Sequence, residues 1–204
     1  RPPRLDQHRP GGLREYGPVN PLETHAPHPL HCHPATPAGL PLDVSVAVDF
    51  TRAGLRLRYA LTGNTAGLRI PPATAPGPAD DLWQHTCLEA FVAAEGEAAY
   101  REFNFSPSGQ WAAYRFAGER QRDTQRAPDL PAPVMQCAIS PTRLTLDVHM
   151  PPATLPSHPF ELALCMVLEE RDGRLSYWAL QHPCERPDFH HPAGRMLRLA
   201  LPQN

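Results

Sequence analysis

Residues 43–61 read Asp-Val-Ser-Val-Ala-Val-Asp-Phe-Thr-Arg-Ala-Gly-Leu-Arg-Leu-Arg-Tyr-Ala-Leu, and their alternation sets the fold class. Val44, Val46, Val48 and Phe50 alternate with Asp43, Ser45, Ala47 and Asp49. Past Arg52-Ala53-Gly54, the residues Leu55, Leu57, Tyr59 and Leu61 alternate with Arg56, Arg58 and Ala60. A period of two puts one apolar set on one face of a strand, and the break between the runs predicts a hairpin. Along the rest of the chain the same test marks strands at 86–93, 99–106, 111–117, 134–139, 143–150, 160–169, 175–181 and 195–201. About ten short antiparallel strands and no helical period predict an all-β domain, a single β-sandwich of jelly-roll type.

The 27 prolines among 204 residues agree with this, because proline breaks long helices and is tolerated at strand ends. The Pro-rich stretches 71–78, 128–133 and 151–159 are read as loops. Residues 1–42 hold ten of the prolines and five of the eleven histidines, with almost no apolar period. We therefore expect a disordered Pro/His-rich tail over 1–29 and one domain over 30–204. His25, His28, His31, Cys32 and His33 are ligand types that suit a transition metal. The prolines between them resist a tight ligand geometry, and no metal site is expected.

A net charge of −2 and a pI near 6.6 give no electrostatic reason to expect nucleic acid or an anionic membrane as partner. All 19 basic residues are arginine, scattered among 21 acids, which reads as genome composition more than chemistry. No run approaches the roughly 18 apolar residues of a membrane helix. Five widely spaced cysteines without a CxxC pair argue for reduced thiols and a cytoplasmic location.

Candidate site residues lie in a meander over 86–117. Glu95-Gly96-Glu97-Ala98 places glycine where a two-residue type II′ turn requires positive φ. That turn sets Glu89 opposite Asn104 and Phe91 opposite Glu102. Ser106-Pro107-Ser108-Gly109-Gln110 fits a three-residue hairpin loop, and sets Glu102 opposite Tyr114 and Phe105 opposite Trp111. One face then carries Leu88, Ala90, Val92, Phe103, Phe105, Trp111 and Ala113, a core face. The other carries Glu89, Phe91, Glu102, Asn104, Tyr114 and Phe116. Carboxylates, an amide and rings side by side suit a sugar-binding or cofactor-binding surface. The plainer reading is a solvated outer face, and a slip of one residue exchanges the faces.

Two further segments add candidates at the ends of the strands: Trp83 and His85 before the meander, and Trp178, His182, Asp188 and His190 near the C-terminus. The plainer reading makes the tryptophans core packing and lets Asp188 and the histidines satisfy turn backbone.

The strings Asp81-Leu-Trp-Gln-His-Thr-Cys-Leu-Glu-Ala-Phe91, Tyr100-Arg-Glu-Phe-Asn-Phe-Ser-Pro-Ser-Gly-Gln-Trp111-Ala-Ala-Tyr114, Ser176-Tyr-Trp-Ala-Leu and Pro187-Asp-Phe-His-His191 together resemble the DOMON-like domains. These are related to family-nine carbohydrate-binding modules. The chain is most similar to a bacterial subgroup labelled after UDP-N-acetylenolpyruvoylglucosamine reductase, whose members begin near a segment like Leu30 to Pro37. The resemblance covers about residues 30 to 202. It implies a β-sandwich that binds sugars or haem without catalytic machinery. The family's recurrent acids land on Glu89 and Glu102, and its Asp-Phe-His element on Asp188, Phe189 and His190.

The leading expectation is a non-catalytic module for a saccharide or sugar-derived small molecule, bound through Trp83, Trp178 and the Glu89/Glu102/Asn104 face. Haem-binding electron transfer is the alternative. Met150, Met166 and Met196 exist, but none matches the family's axial positions, so no cofactor is expected. A glycosidase using Glu89 and Glu102 is the third reading, since a diagonal pair on adjacent strands stands roughly 7–8 Å apart. No GxSxG, HExxH or phosphate-cradling glycine loop points to other catalysis.

Overall fold

The alternating runs become strands with few exceptions. The computed structural model describes residues 26–125, 130–156 and 159–201. The expected tail lies outside the described residues as far as residue 25, together with His25. Its last residues are ordered: His28–Cys32 form β1. The strands expected from alternation follow as β2 (Leu42–Thr51), β3 (Gly54–Gly63), β5 (Cys87–Ala94), β6 (Tyr100–Phe105), β7 (Gln110–Gly118), β9 (Val134–Ser140), β10 (Arg143–Met150), β11 (Phe160–Glu169), β12 (Leu175–Ala179) and β13 (Leu197–Leu199). Two short pieces, β4 (Gly77–Pro78) and β8 (Gln121–Arg122), carry too few residues to show a period.

The strands form one hydrogen-bonded path in the order β4-β7-β6-β5-β11-β12-β1-β2-β3-β10-β9, which curls into a half-barrel. The described fold is all-β, with short 3-10 turns as its only helical pieces. β1 is the joint. Its first half pairs with β2 through His28, Pro29 and Leu30, and its second half with β12 through His31 and Cys32. Two separate sheets were expected; the five-residue β1 links both halves into one because it has a pairing edge on either side.

Curling brings the apolar faces of the two halves together. Val44, Val46, Leu55, Leu57 and Tyr59 of one half share a core with Leu88, Val92, Phe103, Phe105 and Leu164 of the other. Each such side chain contributes about 1.5–3 kcal/mol when fully buried. The Tyr59 hydroxyl donates to the Glu89 carbonyl at 2.8 Å, tying β3 across the core to β5.

The register of the meander is the one the turns predict: Glu89 faces Asn104, Phe91 faces Glu102, Glu102 faces Tyr114 and Phe105 faces Trp111. The first turn differs in detail. The Glu97 N–H donates to the Ala94 carbonyl, so Gly96, at φ 78°, is third in its turn instead of second. The loop widens between Ala94 and Tyr100 while the strands beyond it keep their phase. Among the described residues no helix is long and apolar enough to cross a membrane.

Candidate functional site

The second face of the meander is not open to water. Glu89 is 3% exposed, Glu102 6% and Asn104 0%, where a solvated sheet face would leave them largely free. Three segments cover it: residues 79–84, residues 119–122, and residues 186–191. Between sheet and cover lies a cavity of about 360 Å³, lined by residues that include Glu89, Phe91, Glu102, Tyr114 and His190, with the half-exposed Trp83 at its mouth. A cavity of this size falls in the small-ligand range.

Aromatic packing seats the cover on the sheet. Tyr100 and Phe116 stack at 4.7 Å with their planes 3° apart. His190 meets Phe91 and Phe116 edge-on at 5.2 and 5.1 Å, and Phe189 packs on Tyr177 at 5.9 Å. A hydrogen-bond chain then orients the histidine. The Arg120 backbone N–H donates to the Tyr100 oxygen at 3.2 Å, which leaves the Tyr100 hydroxyl hydrogen for His190 Nδ1 at 2.7 Å. This fixes the tautomer with a proton on Nε2, facing Glu102 Oε2 at 3.8 Å. That gap is too long for a direct hydrogen bond. Nor is it an ion pair: burial, then Arg120, pushes the His190 pKa down to about 4 against a smaller opposing effect of Asp188, so the ring is neutral near pH 7.

The two carboxyl groups are held where ionisation is costly. Burial raises the Glu102 pKa to about 7, although the Asn104 amide donating to its Oε1 at 3.0 Å, and then Arg122 and Arg120, pull it partly back. Glu89 is raised well above the carboxylate range by burial and then by the charge of Glu102. Both arginines stand at the rim. Arg120 donates to Asp188 Oδ1 at 2.8 Å, and Arg122 lies over the Tyr114 ring at 4.1 Å. The Tyr114 hydroxyl donates to Asp80 at 2.8 Å; burial, and then this bond, raise its pKa.

Strain collects at the same place. Asp81 and Arg120, at φ 59° and 54°, are the non-glycine residues with left-handed backbone among the described residues, and both line the cavity. Each such residue costs on the order of 1–2 kcal/mol, a cost that tends to persist at functional sites.

Of the expected site residues, Trp83, Glu89, Phe91, Glu102, Tyr114 and His190 line the cavity. Asn104 and Asp188 stand behind it, the first on Glu102 and the second on Arg120 and the His190 backbone N–H. Three lie away from this cavity. Trp178 points into the main core and donates to Ser176 Oγ at 3.0 Å. His85 Nδ1 pairs with Glu169 at 2.7 Å, next to Arg69. His182 hydrogen-bonds the His31 carbonyl and packs on His33 at 4.6 Å. His33 itself uses Nδ1 to accept from the Ala35 N–H, so its Nε2 donates to the Cys184 carbonyl, and neither nitrogen is left for a metal. Met150 and Met166 are buried in the core and do not face the cavity.

Sequence reasoning missed Tyr177, Arg120 and Arg122 as cavity residues. Tyr177 precedes Trp178, and alternation allows only one of the two to face the cavity. Nothing in the sequence marks the two arginines among the nineteen. Replacing Trp178 by Phe is accordingly expected to cost about 1–2 kcal/mol in urea unfolding, from the lost hydrogen bond and packing volume, and to leave small-molecule binding unchanged. Lost binding in a folded W178F protein would put Trp178 back in the site.

No family model matches the chain, and no curated protein matches it in sequence. Among solved structures it is similar to a "putative carbohydrate-binding protein" from Bacteroides uniformis, with a TM-score of 0.60 and 20% identity over 83% of each chain. The likeness is one of fold. A family 9 carbohydrate-binding module from Caldicellulosiruptor kristjanssonii, in complex with glucose, aligns at a TM-score of 0.42 and 10% identity, covering 73% of this chain and 72% of that one.

Proposed function

We propose that the protein is a non-catalytic module that binds a saccharide or sugar-derived small molecule in the cavity over Glu89 and Glu102. One observation carries this: two buried carboxyl groups face a cavity walled by aromatic rings, with Trp83, 50% exposed, at its mouth. Carboxyl oxygens accept from sugar hydroxyls, ring faces cover the C–H patches of a pyranose, and the neutral Nε2–H of His190 adds a donor. The carbohydrate-binding description of the Bacteroides uniformis protein points the same way, although one fold hosts many functions. On this reading the chain is DOMON-like, and the two halves of the curled sheet are the layers of a jelly-roll sandwich joined at β1. We also assign it to the cytoplasm, in keeping with five free cysteines.

Calorimetric titration against a panel of mono- and oligosaccharides tests the proposal. At least one sugar is expected to bind, and Trp83→Ala to weaken it about five- to tenfold, the worth of one stacked ring. His85→Ala is expected to leave the affinity alone. No heat from any sugar, with a folded sample, overturns the reading.

A further inference from the structure

The floor of the cavity is acidic and lacks a cation of its own. Glu89 is 3% exposed and lines the cavity. Burial and the neighbouring Glu102 charge act on it, and among the described residues neither a hydrogen bond nor a basic group offsets them. Glu102 receives one bond, from Asn104. The two guanidinium groups that could neutralise the pair are at the rim, Arg120 engaged with Asp188 and Arg122 spread over Tyr114. Burying carboxylates without a counter-charge costs several kcal/mol, so such pairs persist where something else supplies the charge.

The walls suit the same partner. Phe91, Tyr177 and Phe189 line the space around the acids, Tyr114 being already under Arg122 and Phe116 stacked on Tyr100, and ring faces attract a cation most strongly where water is excluded. A neutral sugar would use the carboxyl oxygens as acceptors but would leave an ionised carboxylate with only the rim arginines to offset it. An anionic sugar would meet the acid floor and could be held only at the rim. We infer that the ligand carries an ammonium group seated between Glu89 and Glu102 against these rings, an amino sugar being the form that satisfies the saccharide reading on which this inference rests.

Charge balance makes the consequence measurable. Burial raises both carboxyl groups, so the pair is partly protonated near pH 7 and binding an ammonium ion expels protons to the buffer. The groups facing the pair are the Cys87 and Cys165 thiols from β5 and β11, both raised well above their usual value by burial, and the Tyr100, Tyr114 and Tyr177 hydroxyls from β6, β7 and β12. The cover adds His190, Asp188, Asp81, Arg120 and Arg122. Glu102, at about 7, is the group that changes charge between pH 5.5 and 7.5, and His190, at about 4, is neutral throughout.

The test is calorimetry with D-glucosamine, D-glucose, N-acetyl-D-glucosamine and cyclohexylamine. At pH 7.5 glucosamine is expected to bind at least tenfold tighter than the two neutral sugars, and at pH 6.5, where its amine is already almost wholly protonated, to release protons that are read from buffers of different ionisation enthalpy. At pH 5.5 the advantage shrinks. Glu89→Gln and Glu102→Gln, each with an unchanged circular dichroism spectrum, are expected to abolish the advantage of glucosamine over the two neutral sugars. Equal affinity for the three sugars overturns the ammonium inference and leaves the saccharide reading standing. Binding of cyclohexylamine without any sugar upholds the cation and overturns the saccharide. Binding of none of the four overturns both.

Discussion

Glu102→Gln is expected to stabilise the protein relative to the wild type by an amount that grows as the pH rises from about 5 to about 8. The folded Glu102 carboxyl has its pKa at about 7 against an ordinary 4.5. Between those values the folded state binds more protons than the unfolded one, so stability falls as pH rises and is fully present only below the unfolded value. Glu89 acts in the same direction. His190 acts oppositely: its depressed pKa favours the folded state above about pH 6.5 and loses that contribution as pH falls towards 4. His190 offsets one of the two falling contributions from pH 4.5 to 6.5, so the Glu102 contribution is read from the difference between variant and wild type, which opens over that window and is nearly complete just above pH 7. Two and a half units for Glu102 correspond to roughly 2–4 kcal/mol. Urea unfolding of both proteins across pH 5–8 measures it. The Gln carbonyl can still accept from Asn104, so the variant should match the wild type near pH 5 and exceed it at pH 8. A variant that tracks the wild type across this range would mean that Glu102 is not buried in solution.

Gly54→Ala is expected to cost at least about 3 kcal/mol and could prevent folding. Gly54 closes the hairpin between β2 and β3 with φ at 120°, a backbone that L residues rarely adopt. A Cβ there would stand 2.2 Å from the Met150 carbonyl oxygen, a backbone atom at the paired end of β10 that cannot swing aside. Gly96→Ala is the control. That glycine also has positive φ, at 78°, but nothing lies within 4 Å of its would-be Cβ. Only the conformational cost remains, about 1–2 kcal/mol. Thermal or urea unfolding of the pair separates the two causes. Equal losses would show that backbone conformation alone matters at Gly54 and that the close approach of β10 does not.

How much of this was legible depended on whether the signal was local. The β2–β3 hairpin and the meander register could be read because alternation and turn glycines act within about fifteen residues of chain. Glu89, Glu102 and Tyr114 were placed side by side on that basis. The same reasoning failed at Trp178. β11 and β12 read Phe-Glu-Leu-Ala-Leu-Cys-Met-Val-Leu-Glu and Leu-Ser-Tyr-Trp-Ala, and neither alternates, because β11 is covered on both faces. With too few polar residues to mark an outer side, the sequence does not set the phase of these strands, and the structure puts Tyr177, not Trp178, on the cavity. His85 and His182 failed for another reason. Their partners, Glu169 and the His31 carbonyl, are 84 and 151 residues away in sequence.

The amino-acid sequence by itself determined the all-β class, the strand limits and the two faces of the meander, since period-two patterning and turn chemistry are properties of neighbouring residues. It left open which of the two faces of the meander would be wet. That was decided by tertiary structure: Phe189 and His190 arrive from a distant turn, Arg120 from the turn just past β7, and together they lock onto Tyr100, Phe116 and Tyr177 and convert an outer sheet face into the lined cavity. The chemistry of Glu89 and Glu102 follows from that covering, because a carboxyl group acquires a raised pKa from lost water, and no sequence pattern records where water is lost.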